Sequence, residues 1–407
     1  MNQLKTIVIV YDQAYISGGA AKIAIRSAVA MSKLNYRVIF FAGIGVPCDE
    51  LKNSGIEVIC LGEEHIALTK KPSALLKGIW NRNACKKLKE LLDTLDPSST
   101  VVHIHGWTKS LSSSVFLAAY RKGFKTLVTG HEYFAICQNG GLYDYHKDCI
   151  CLRRPRSLSC YLCNCDKRNY MNKIYRNFRQ LRQTHILKKT RPDFIFITEF
   201  SKEKLKPYLF HANHQYLLSN FVDIEKRQRV QAEKNDLYLF IGRISDEKGI
   251  DLFCNAVTKA GVSGVVIGDG SKREAYQKDY PHIQFAGWKN TEEMQEYIQR
   301  ARAMIVSSKW YETMGLTVVE MQQYGVPCIV PKECAASEYV QDGQTGMLYQ
   351  IGSEQALECC IKALKSDSET ERLSKNFYAA LDIEKYSIND YVRRLIKIYE
   401  NSLNAGK

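Results

Sequence analysis

The sequence predicts an α/β protein in which two parallel, doubly wound sheets follow one another along the chain. Three observations predict it. Short apolar runs alternate with helical patterns over the whole length, the signature of strand–helix–strand units. The series then restarts after a polar stretch, EKRQRVQAEKND at 225–236. Finally, 407 residues leave room for two domains with a core each. Two Rossmann-like domains facing across a cleft are expected.

In chain order, residues 5–11 (KTIVIVY) and 37–43 (RVIFFAG) read as strands flanking a helix over about 20–34. The loop between them holds Ser17-Gly18-Gly19 and opens onto that helix. A glycine turn from strand to helix points backbone N–H groups at a phosphate, although a plain tight turn has the same sequence. Val101–His105, Thr126–His131 and Phe194–Thr198 are further strands, and the first two end in histidine. The second half begins with Tyr238–Gly242, followed by Arg243-Ile244-Ser245-Asp246-Glu247-Lys248-Gly249. Val265–Ile267 leads into a Gly268-Asp269-Gly270 turn, and Ile283–Gly287 closes the next unit. Tyr386–Leu403 reads as an amphipathic helix.

The stretch from Ala303 to Pro331 is the most informative. Ala303–Val306 fits a buried parallel strand. A polar loop follows, then a short helix over Gly315–Tyr324, with Gly325 at its C-terminus where positive φ is wanted and Pro327 blocking continuation. Glu312 lies in the loop and Glu320 in the helix. A helix start at the carboxyl end of a parallel strand is where such folds bind phosphorylated ligands, and carboxylates there can hold sugar hydroxyls. The pattern points to a nucleotide-sugar pocket.

Composition narrows the class. Hydrophobic residues at 45% and charged residues at 25% are ordinary for a globular protein. No apolar run approaches a membrane span, and the start MNQLKTIVIVYDQ reads as a strand without a cleavage site, so a cytoplasmic protein with reduced cysteines is expected. The charge is unevenly placed. Up to His214 there are 33 Lys+Arg against 16 Asp+Glu, and beyond it 24 against 27. The first half therefore faces something anionic.

Taken in order, the fragments resemble glycosyltransferase family 4: Gly18-Gly19, His131 at a strand end, Gly242-Arg243 with Glu247-Lys248-Gly249, Gly268-Asp269-Gly270, Phe285-Ala286-Gly287, and Glu312 eight positions before Glu320. The resemblance covers nearly the whole chain and is strongest over 238–349. It implies the GT-B fold, with an acceptor-binding domain over 1–214, a nucleotide-sugar domain over 215–385 and a helix over 386–407 packing back on the first domain. It further implies that Arg243 and Lys248 bind the donor diphosphate, helped by N–H groups of Met314, Gly315, Leu316 and Thr317. Glu312 would then hold the transferred sugar, Glu320 the ribose, and Gly287 with Trp288 the base. Gly18 and Gly19 would line the donor site, and His131 would stand beside the reacting sugar in a positional and electrostatic role. His105 is a second such candidate. The implied activity is retaining transfer of a hexose from a UDP- or GDP-sugar to a lipid-linked saccharide, in capsule, exopolysaccharide or O-antigen synthesis. No metal or cofactor is required, since Arg, Lys and helix dipoles supply the countercharge. A GT-B epimerase or phosphorylase, or an inactive assembly scaffold, shares the architecture.

Two further features fall outside the pocket. Six of the 14 cysteines lie between Cys137 and Cys165. Cys149 and Cys151 with Cys160 and Cys163 could close a loop around structural zinc, or all could be plain thiols. Beyond them, Arg176, Arg179 and Arg182 recur on a helix with Ile174, Phe178 and Leu181 interleaved, and Lys70–Lys89 is a second basic stretch with Leu75, Leu76, Ile79 and Trp80. With no nucleic-acid motif present, these favour an anionic membrane surface as partner, on the inner face of the cytoplasmic membrane.

Overall fold

A computed structural model of the chain describes residues 3–66 and 72–405, with the side chains of 72–74 outside that description. Lys70 and Lys71 of the second basic stretch therefore lie outside the described residues. The first half is built on strands β1 Thr6–Gln13, β2 Arg37–Ile44, β3 Glu57–Cys60, β4 Thr100–Ile104 and β5 Lys125–Gly130. A small hairpin, β6 Tyr143–Asp144 with β7 Cys149–Ile150, interrupts the series before β8 Asp193–Phe196 and β9 Gln215–Leu217. The seven-stranded sheet has the order β3-β2-β1-β4-β5-β8-β9, all pairs parallel. The second half holds β10 Leu237–Ile241, β11 Ser263–Ile267, β12 Gln284–Gly287, β13 Ala301–Ile305, β14 Cys328–Pro331 and β15 Gly346–Tyr349. These form a six-stranded parallel sheet, β12-β11-β10-β13-β14-β15.

The strands read as continuous apolar runs because helices cover both faces. All eight residues of β1 are buried. Val8 and Val10 join one core with Phe41 and Leu88, while Ile7 and Ile9 join the other with Phe40 and Ala24. In the second half, Tyr238 and Phe240 face Phe253, while Leu237 and Leu239 face Met304.

The expected division between the halves shifts at its edge. The expected second domain over 215–385 includes residues 215–217, but β9 hydrogen-bonds to β8 and closes the first sheet. Three half-buried residues, QYL, are too few to show a period. The C-terminal helix Ile388–Asn404 returns to the first half, where Tyr391, Leu395 and Tyr399 enter the core beside Ile25 and Ala28. Two buried polar bonds fix it there: Tyr399 Oη lies 2.6 Å from His103 Nδ1, and Ser402 Oγ donates to Asp193 at 2.6 Å.

The cysteine-rich segment runs from the β6–β7 hairpin into short helix Leu158–Leu162 and the long helix Tyr170–Thr190. All 14 cysteines are free thiols. Among the described residues, no group of three or more His, Cys, Asp or Glu side chains is placed to hold a metal ion. Instead the sulfurs have local partners: Cys137 with Asn139, Cys160 with Gln138, and Cys165 with the buried ammonium of Lys173 at 3.3 Å. The three arginines spaced by three also divide. Arg176 pairs with buried Asp166 and Arg179 donates to the carbonyls of Thr108 and Gln138, so only Arg182 is exposed. Each step of three residues turns about 60° back around a 3.6-residue helix, so the first two arginines turn toward the protein and the third toward solvent.

Candidate active site

The site is organised by the loop after β13. Ser307 and Ser308 are buried as they leave the sheet, and Gly315 ends the loop at φ +90°, opening the helix Leu316–Gln322. A Cβ on Gly315 would stand 2.6 Å from that of Ala336, so glycine serves both conformation and space. The loop after β10 is locked against it. Gly249 has φ +65°, and a Cβ there would meet the Ser307 carbonyl at 2.0 Å. Lys309 N–H donates to the Glu247 carbonyl at 2.9 Å, and Ser307 Oγ to the Lys248 carbonyl at 3.0 Å.

This docking brings together two residues far apart in sequence. Lys248 Nζ donates to Glu312 Oε1 at 2.7 Å, and Ser308 Oγ donates to the same oxygen. Burial alone would raise the pKa of Glu312, but the Lys248 charge and these hydrogen bonds bring it below the usual glutamate value. The pair lines a solvent-open cavity, with Gly19, Met314, Gly315, Leu316 and Thr317 from the expected set. The cavity lies at the carboxyl ends of β10 and β13, and His131 and Glu132 from the other half complete its wall.

His131 is buried and locked in place. Its Nε2 lies 3.0 Å from His105 Nδ1, and its carbonyl accepts from Thr313 Oγ1 at 2.8 Å across the cleft. Thr198 Oγ1 in turn donates to the Thr313 carbonyl at 2.9 Å. Burial lowers the pKa of His131 to about 4, so the ring is neutral near pH 7. Near neutral pH the ring therefore offers hydrogen bonds and no fixed positive charge. His105 Nε2, also buried, finds no hydrogen-bond partner among the described residues.

The remaining expected residues are not part of the lining of this cavity. The Arg243 side chain is largely exposed and pairs with Glu247 at 3.0 Å, at the cavity mouth but outside its lining. Trp288 is 72% exposed at the end of β12, just beyond Gly287. Glu320 lies on the turn below the cavity, where burial raises its pKa against the opposing charge of Lys22. Gly18 begins the turn opposite, with nothing near its Cα for a side chain to strike.

Two features had no signal in the sequence. Glu132 lines both this cavity and a second, smaller one in the first half, bounded by Asp12, His105, Trp107, Lys109 and Phe134. Burial raises its pKa despite Lys109 and Arg243. Asp12 shapes the second cavity by accepting from the N–H groups of Lys109, Ser110 and Leu111 at 2.8–3.1 Å. The other unforeseen feature is a clasp: Lys309 bridges Asp148 of the β6–β7 hairpin (2.6 Å) and Asp251 of the second half (2.5 Å).

Comparison with known proteins assigns the second half. Residues 221–380 match the family model of glycosyl transferases group 1. An uncharacterized 41.2 kDa protein in the cps region of Klebsiella pneumoniae is 36% identical over 123 residues, 29% of this chain and 34% of the relative. The lipopolysaccharide core biosynthesis glycosyltransferase LpsE of Rhizobium meliloti is 22% identical over 165 residues, 37% of this chain and 48% of the relative. These matches span between a third and a half of the relatives' length. The crystal structure of Anabaena HepE with UDP and glucose superposes with TM-score 0.67 at 13% identity, covering 98% of this chain and all of that one. The fold is therefore GT-B, with two Rossmann-like domains.

Proposed function

We propose that this chain, which carries a group 1 glycosyltransferase domain in the GT-B fold, moves a hexose from a UDP- or GDP-sugar to a lipid-linked saccharide, with retention of anomeric configuration. The observation that carries the reading is the Lys248–Glu312 pair in a cavity facing His131 across the cleft. An ammonium and a carboxylate held together are complementary to a donor that brings both phosphate and sugar hydroxyls. On donor binding, the diphosphate takes Lys248 as partner and the sugar hydroxyls take Glu312, so one internal pair is exchanged for two ligand contacts.

The reaction then follows from charge. The bond from the anomeric carbon to the diphosphate oxygen breaks, and negative charge grows on the leaving group. Lys248 meets that charge inside the cavity, and Arg243 at the mouth adds a second cation. The acceptor oxygen bonds the anomeric carbon on the face the diphosphate leaves, and its proton passes to the departing phosphate. Neutral His131 hydrogen-bonds the sugar without competing for the phosphate charge, and Glu320 takes the ribose. In this reading no resident cofactor takes part.

The cps-region and lipopolysaccharide-core relatives support a role in cell-surface polysaccharide synthesis. The reading places the protein at the inner face of the cytoplasmic membrane, held through its basic first half. No helix of the described residues is long and apolar enough to cross a membrane. The test is incubation with radiolabelled UDP- and GDP-hexoses and a membrane lipid extract. Label entering the lipid fraction from one donor supports the reading, whereas a donor epimerised or phosphorolysed without an acceptor overturns it.

A further inference from the structure

The first half carries an apolar surface that the reaction does not use. Leu152, Leu158, Leu162, Met171, Phe178 and Leu181 are all more than half exposed, from 52% for Leu181 to 87% for Leu152. Five of them, all but Leu152, are carried by two helices that lie together. The short helix Leu158–Leu162 lies along the start of the long helix Tyr170–Thr190, where Tyr170 Oη donates to the Leu162 carbonyl and Asn177 to that of Tyr161. On the long helix, Met171, Phe178 and Leu181 fall within one side of the cylinder, and exposed Arg182, Lys188 and Lys189 continue that side toward the C-terminus. The helix Pro72–Ile79 packs beside it and adds exposed Leu75 and Leu76, with Arg182 stacked 4.5 Å over the Trp80 ring.

The charge of the segment that carries most of this ridge has one sign, whereas the neighbouring helix Pro72–Ile79 has its Lys77 paired with Glu63. Between residues 150 and 192 there are 12 Lys+Arg and one carboxylate, Asp166. Asp166 is buried and paired with Arg176, so this segment shows no acidic side chain to solvent. A contiguous apolar patch rimmed by cations matches the boundary of an anionic bilayer, where apolar side chains enter the acyl region and cations meet headgroups. A protein partner of opposite charge would equally need an acidic rim, but leucine, methionine and phenylalanine side chains protruding from a two-helix ridge fit a fluid surface better than a shaped one.

We infer that this ridge is the surface by which the protein docks on anionic lipid, with Leu158, Leu162, Met171, Phe178 and Leu181 inserted. The inference rests on the membrane placement proposed above and narrows it from two basic stretches to one apolar ridge. That location has a consequence for the acceptor. Arg179, on the same long helix, donates to the carbonyls of Thr108 and Gln138 and lies over the Phe134 ring. Thr108 and Phe134 wall the second cavity, so docking sets that cavity beside the bilayer.

The test is co-sedimentation of the full chain with vesicles of phosphatidylglycerol and phosphatidylcholine, against phosphatidylcholine alone. Wild type is expected to bind the anionic vesicles and to lose binding as salt rises. The variants Leu158→Ser/Leu162→Ser and Phe178→Ser/Leu181→Ser are each expected to weaken binding at least about tenfold, since each removes two large apolar side chains from the acyl region. All four positions are exposed, so thermal melting and binding of free UDP or GDP should stay at wild-type values. Wild-type failure to bind anionic vesicles overturns the membrane placement itself. Wild-type binding retained in both variants overturns this surface alone, as does a variant-sensitive monomer–dimer equilibrium, which would assign the ridge to a second copy.

Discussion

Replacing Lys248 by Ala separates the two jobs assigned to that residue. Removing one partner of a fully buried ion pair costs about 3–5 kcal/mol, because the other charge is left behind. The Lys248 side chain is 22% exposed and that of Glu312 is 11% exposed, so some water will reach the orphaned carboxylate. A loss of about 2 kcal/mol follows, equivalent to roughly 4–8 °C in melting temperature for a domain of this size. Transfer should fall further. A preorganised cation meeting leaving-group charge is worth about 10²–10³ in rate, the scale of an oxyanion-hole donor. The double variant Lys248→Ala/Glu312→Gln removes the orphaned charge, so it should regain most of the melting temperature and none of the transfer. The assay is kcat/KM with the transferred nucleotide sugar, alongside calorimetry. Transfer by Lys248→Ala within about threefold of wild type, or recovered in the double variant, would refute the assignment of Lys248 to the diphosphate.

Further outcomes follow from the same geometry. Glu312 titrates below its unfolded value, so its pairing stabilises the fold above about pH 4.3 and is lost only as pH falls through the lower folded pKa. His131 behaves in the same sense over a different window. Its folded pKa of about 4 lies below the ordinary histidine value of 6.5, so stability is full above pH 6.5 and falls as pH drops to 4, by up to about 1.4 kcal/mol per pH unit. Urea midpoints between pH 4 and 7 should show this slope, and His131→Gln should reduce it. Gly249→Ala forces a side chain into φ +65° and against the Ser307 carbonyl, so a loss of at least about 2 kcal/mol and severely impaired transfer are expected by denaturation and rate measurement. Asp148→Asn removes one side of the Lys309 clasp; donor KM should rise a few-fold while the melting temperature stays nearly constant, since the pair is partly exposed.

How much of this was legible in the sequence depends on whether the information was local. The buried strands around Ile7–Val10 and Leu239–Phe240 announce themselves because helices cover both faces and leave no polar alternation. Gly325 at φ +68° and the helix beginning at Leu316 follow from turn chemistry within ten residues. The three-residue β9 and the edge strands β3 and β15 lacked such a signal, since half-buried edges resemble loops. In the site, the residue types were readable but their partners were not. Lys248 and Glu312 were each given a ligand, yet their contact depends on Gly249 meeting Ser307, a packing event between distant loops. Arg243 and Trp288, which the resemblance sets against the ligand, are largely exposed and outside the cavity lining. Glu132 was invisible because one carboxylate after a histidine has no pattern of its own; only the meeting of two cavities gives it a place.

The central claim is that the paired cavity and the facing His131 make one retaining transfer site. It is tested most directly by isolating the glycosylated lipid formed from an anomerically pure donor and reading the new linkage by NMR. The account predicts a product with the donor's anomeric configuration, formed by wild type and absent with Lys248→Ala. An inverted linkage, or an undiminished product from that variant, would contradict it.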